Sequence, residues 1–69
     1  MDNKTVYIVR GLTADGSEKF YTGRAGDAWV SPNRGESFGY VSQEIARNKA
    51  LQFNRYTQLH GLRFVAVAY

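Results

Sequence analysis

Arg47, Leu51 and Arg55 are spaced four residues apart. On a helix they stack one above another, on the side away from the other large apolar residues. A leucine held between two guanidiniums has the composition of a docking ridge: an apolar knob beside forked donors that match carboxylates or phosphates. The same three residues would also suit an ordinary exposed helix face, since single exposed leucines are common. A second group is Arg24, Trp29 and Arg34, which share a glycine-rich stretch. Glycine-rich loops can cradle phosphates through backbone N–H groups. Neither GxxxxGK[ST] nor GxGxxG is present, so turn chemistry explains this stretch better. A third set is Tyr7, Tyr21, Arg63 and Tyr69, whose rings and charge would suit base stacking on an open sheet face.

Catalytic and metal chemistry have little to work with. The chain has no cysteine and one histidine, His60, with no HxxxH or carboxylate cluster beside it. Thiolate metal sites and disulfides are excluded, and no cofactor is expected. No serine or cysteine adjoins His60 as a nucleophile. The expectation is a binding protein rather than an enzyme.

The elements that position these residues follow from pattern. KTVYIVRG, residues 4–11, is β-branched and aromatic and reads as a strand with Val6 and Ile8 on one face and Tyr7 and Val9 on the other. Asp15-Gly16 marks a turn, and KFYTG is the returning strand. Residues 23–39 hold four of the seven glycines and the only proline. They read as a long loop with a short strand near Trp29-Val30, pinned by Trp29 and Phe38. Ser42 is a helix N-cap candidate with Glu44 in the first turn, and Gly61 is a natural stop. Ile45, Ala46, Lys49, Ala50, Phe53 and Tyr56 form the stripe that should meet the sheet. LRFVAVAY, residues 62–69, closes the chain as a strand apolar on both faces, either central or meeting a partner.

The order β-β-(β)-α-β predicts one α+β domain over residues 1–69: a single helix on a three- or four-stranded antiparallel sheet. The helix is expected on Val6, Ile8, Phe20, Phe64, Ala66 and Ala68. The other face would carry Tyr7, Val9, Tyr21, Val65, Val67 and Tyr69. It would be a homodimer face, a partner site, a stacking platform, or a surface covered by the loop through Trp29 and Phe38.

Composition sets the class. The chain has 69 residues, 43% hydrophobic and 22% charged, with net charge +3. So short a chain buries only about 60% of its unfolded surface, which makes a partner subunit a natural support. Ten aromatics argue for a folded chain. The modest positive charge permits nucleic-acid binding without implying it. No apolar run approaches the ~18 residues that span a bilayer. A cytoplasmic protein is the expectation.

Two resemblances bear on function. Val6-Tyr7-Ile8 with Tyr21-Thr22-Gly23 resembles the paired-tyrosine hairpin of GIY-YIG nucleases. That family adds an arginine on a helix and a metal-binding glutamate. Here Arg34 follows a proline-containing loop and Glu44 comes too early, so the likeness is to the hairpin pattern alone. The second half resembles small bacteriophage and prophage proteins, in Gly39-Tyr40, Ala46, Lys49-Ala50, Phe53-Asn54, His60-Gly61-Leu62 and Phe64. This implies a host bacterial cell and stoichiometric action on a protein or nucleoprotein, as anti-CRISPR and other anti-defence inhibitors act. It transfers no site residues.

Overall fold

The structure, a computed structural model, describes residues 5–56 and 62–69. Strand β1 (Tyr7–Leu12) turns back into β2 (Glu18–Tyr21) through the Asp15-Gly16 turn. Gly16 takes φ +90° there, a region costly for any residue with a Cβ. Asp15 accepts hydrogen bonds from the Thr13 hydroxyl and the Ser17 N–H. A 3-10 turn at Gly26–Trp29 leads into the two-residue β3 (Val30–Ser31), and a second such turn covers Arg34–Glu36. Helix α1 (Gln43–Tyr56) and β4 (Arg63–Ala68) complete the domain. The sheet order is β3-β2-β1-β4, antiparallel throughout. One helix on a four-stranded antiparallel sheet is the expected α+β two-layer class. The predicted continuation of the helix to Gly61 lies outside the described residues.

Register corrects the expected faces. Gly11 lies opposite Phe64, Val9 opposite Ala66 and Tyr7 opposite Ala68. The odd-numbered positions of β1 therefore share a face with the even-numbered positions of β4. That shared face carries α1. The core joins Val9 and Phe64 to Ala46 and Ala50 of the helix, with Tyr7, Tyr21, Trp29 and Phe53 packed around them. Val6, Ile8 and Phe20, expected beneath the helix, lie on the opposite face. In this register the Phe64 ring occupies the space over Gly11, where a Cβ would come within 2.8 Å of it. A one-residue difference in register moves a whole set of side chains from one face to the other.

The helix begins as its sequence suggests. The Ile45 N–H donates to the Ser42 hydroxyl at 3.3 Å, and the Ala46 N–H to the Ser42 carbonyl at 3.1 Å. Ala46 and Ala50 then let the helix backbone lie close to the sheet. Among the described residues β4 pairs with β1 alone, so it is an edge strand, and of the two readings of its two-faced apolarity the central strand is excluded. Its Val65 and Val67 lie on the face away from the helix.

That second face is partly roofed by the loop, though not by Trp29 and Phe38. Phe20 is buried there, beneath the guanidinium of Arg34 at 5.8 Å from its ring centroid. The same guanidinium lies 5.3 Å from the Tyr69 ring and donates to the main-chain oxygens of Ala68 and Tyr69. Asn33 holds the turn by accepting from the Gly35 N–H.

Candidate binding surface

Helix α1 turns Ala46, Ala50, Phe53 and Asn54 inward, at i, i+4, i+7 and i+8. This periodicity puts Arg47, Leu51 and Arg55 outward, as predicted. Leu51 is 56% exposed and both arginines are exposed. Glu44, also exposed, continues the same stripe one turn before Arg47. Among the described residues the one ion pair is Arg10–Glu18, at 3.4 Å on the far face of the sheet. Among the described residues no ion pair engages the ridge guanidiniums.

The ridge has a different neighbour on each side. Towards β4 it borders a groove of about 240 Å³ lined by Gln43, Arg47 and Leu51 from the helix and Phe64, Val65 and Ala66 from the edge strand. Asn54 closes one end of that edge. Its side-chain amide donates to the Phe64 carbonyl at 3.0 Å, and its oxygen accepts from the Phe64 N–H at 2.7 Å. One side chain thus takes the place of a neighbouring strand at that residue.

Towards β2 the helix borders a wider groove of about 420 Å³, lined by Tyr21, Phe38, Tyr40, Ile45 and Lys49 among others. Phe38 stacks edge-on against Tyr40 at 4.9 Å and Tyr21 at 6.2 Å. The Lys49 ammonium lies 5.5 Å from the Phe53 ring centroid and 5.9 Å from that of Tyr21. Burial, and secondarily the nearby Tyr21, raises the Tyr40 hydroxyl above its ordinary pKa. Sequence reasoning missed this groove. It placed Ile45 in the buried stripe, yet Ile45 is 56% exposed, and Phe38 and Val41 are exposed as well. The missed signal was the Ala46–Ala50 axis, which puts Ile45 at the border of the buried side.

The other predicted sets are not brought together. Trp29 is half-buried on the helix side, 5.5 Å from Phe53 and 5.7 Å from Phe64. Arg34 is engaged on the opposite face. Arg24 is exposed in the loop, its main-chain N–H donating to the Thr22 hydroxyl. These three are not a common surface. Tyr7 and Tyr21 lie on the helix side, whereas Arg63 and Tyr69 lie on the other, so the stacking platform is not assembled either. The same division separates Arg34 from the two tyrosines of the nuclease-like hairpin. His60 lies outside the described residues.

Among the described residues no cluster of three or more histidine, cysteine, aspartate or glutamate side chains could hold a metal. No helix among them is long and apolar enough to cross a membrane. Compared with known proteins, the chain matches no family model, no curated protein and no solved structure.

Proposed function

We propose that the protein acts by binding rather than by catalysis, with the outer side of α1 as its contact surface. Arg47 and Arg55 would pair with carboxylates or phosphates of a larger protein or nucleoprotein, while Leu51 enters an apolar recess between them. The observation carrying this reading is Leu51. It stands 56% exposed between two arginines that have no ion-pair partner among the described residues. Burying a leucine side chain fully contributes roughly 1.5–3 kcal/mol, and desolvated arginine pairs sharpen orientation. Binding would work by occlusion, covering a surface that another subunit or a nucleic acid needs. The likeness to phage and prophage proteins makes a host defence assembly such as CRISPR-Cas the first partner to try.

The decisive experiment has two steps. Capture from bacterial lysate identifies a partner, and the purified partner is then titrated with wild type and with the Arg47→Glu/Arg55→Glu variant. The expected loss is on the order of 100-fold in affinity, with the fold unchanged. Equal affinity for both proteins would remove the ridge from consideration. Direct nucleic-acid binding is favoured less, because Tyr7 and Tyr21 lie under the helix. If it occurred, affinity for DNA or RNA would fall steeply with salt.

A further inference from the structure

The outer edge of β4 shows which of its backbone groups are open. In an antiparallel ladder, bonded and non-bonded pairs alternate. The Tyr69 N–H donates to the Val6 carbonyl at 2.7 Å, so Val6–Tyr69, Ile8–Val67, Arg10–Val65 and Leu12–Arg63 are the bonded pairs. The N–H and C=O groups of Phe64, Ala66 and Ala68 therefore point away from β1. Asn54 satisfies both groups of Phe64, and Arg34 takes the Ala68 carbonyl. Among the described residues this leaves a window: the N–H and C=O of Ala66 and the N–H of Ala68. Ala66 lies in the groove beside Arg47 and Leu51.

We infer that this window receives a short extended segment of a partner protein, added as a fifth strand with acidic side chains facing Arg47. This rests on the binding role proposed for the ridge and names the form of the partner. Strand addition at an open edge uses main-chain bonds for affinity and alternate side chains for specificity. Alternate residues of the incoming strand point to the helix side, where Arg47 and Arg55 offer positive charge. The remaining residues lie alongside Val65, which is 37% exposed, and Val67 on the other face. Charge decides the occupant. A second copy would bring its own Arg47 and Arg55 to this edge with a single acidic residue, Glu44, on the same stripe, so cations would outnumber acids there. The clamps at either end restrict the window to a few residues, so the edge accepts a short segment without seeding a long ladder.

The test uses the full-length, isotope-labelled protein and an octapeptide of alternating Glu and Val. Two control peptides are alternating Lys and Val, and the Glu-Val peptide N-methylated at every second residue. The Glu-Val peptide should shift the Ala66 and Ala68 amide resonances and slow Ala66 amide exchange. Each control should bind about tenfold more weakly or worse. Equal binding of either control, no binding near about 1 mM, or binding that leaves Ala66 unmoved overturns the inference. So does protection of Ala66 in the free protein accompanied by dimer formation in sedimentation, or a single-stranded oligonucleotide producing the same Ala66 shift. If a captured partner depends on Arg47 and Arg55 but leaves Ala66 unmoved, strand addition fails and the ridge stands. If charge reversal has no effect on that partner while the Glu-Val peptide still shifts Ala66, the ridge reading fails by itself.

Discussion

The two faces of this sheet are covered by different means. Beneath α1 the cover is a mesh of rings, with Phe64, Phe53, Trp29 and Tyr21 in mutual contact at 4.7–5.7 Å. On the opposite face the loop turn at Arg34–Glu36 lies against β2, and the Arg34 guanidinium sits over Phe20, held by main-chain acceptors in β4 and after it. A single helix spans one face of a sheet, so the second face needs another solution. An arginine can provide it, since its stem covers apolar surface while its guanidinium is satisfied by carbonyls and rings. A ring lost from the mesh leaves a cavity in the core, whereas the clasp is an exposed residue at its rim. That difference predicts how each face responds to substitution.

The largest effect belongs to the helix face. Phe64→Ala removes the ring that touches both Trp29 and Phe53 and should cost about 3–5 kcal/mol. A domain of this size holds roughly 3–10 kcal/mol in total, so the variant should be largely unfolded by circular dichroism at room temperature. A cooperative transition within 1 kcal/mol of wild type, on the order of what a surface change costs, would mean that the rings do not bear the core.

Next is Asn54, which couples the helix to the sheet edge. Asn54→Ala strands the N–H and C=O of Phe64, at a cost of about 1–3 kcal/mol in urea unfolding. It should also free the Phe64 N–H and C=O at the edge of β4, seen as faster amide exchange at Phe64. Arg34 tests the second face. Arg34→Ala should cost about 1–2 kcal/mol through lost ring contacts and carbonyl bonds, and Arg34→Lys should recover little of it, because an ammonium lacks the planar fork. Full rescue by lysine would show that charge alone closes that face.

The comparison also explains what was legible in the residues. The hairpin could be read because Asp15-Gly16 interrupts two β-branched runs, and the helix start because Ser42 precedes a periodic apolar stripe. The outward position of Leu51 followed from spacing alone. The face assignment did not, because parity within each strand says nothing about register between strands. The register observed places Phe64 over Gly11, a contact between residues far apart in sequence. Arg34 was equally opaque: its role depends on where the loop returns, and its own neighbours suggested only turn chemistry. The Phe38–Tyr40–Ile45 groove required knowing that residues 38–40 rejoin the sheet, where Tyr40 exchanges two main-chain bonds with Tyr7.

The smallest expected effect lies outside both faces, at the turn they share. Asp15 accepts from the Thr13 hydroxyl and from the Ser17 N–H, and these bonds lower its pKa from 3.8 to about 2. A carboxylate whose pKa is depressed on folding adds stability above its unfolded value and loses it as pH falls through the folded one. The contribution is therefore complete above about pH 4 and fades towards about pH 2. Asp15→Asn keeps an acceptor oxygen but cannot titrate. Urea midpoints for wild type and variant should differ by a constant amount above pH 4 and converge as the carboxylate protonates. A gap unchanged down to the lowest pH would mean that the turn holds the Asp15 oxygen no more tightly folded than unfolded. The charge of Asp15 would then add nothing to the hairpin, and the bonds from Thr13 and Ser17 would hold a neutral oxygen there as well as a carboxylate.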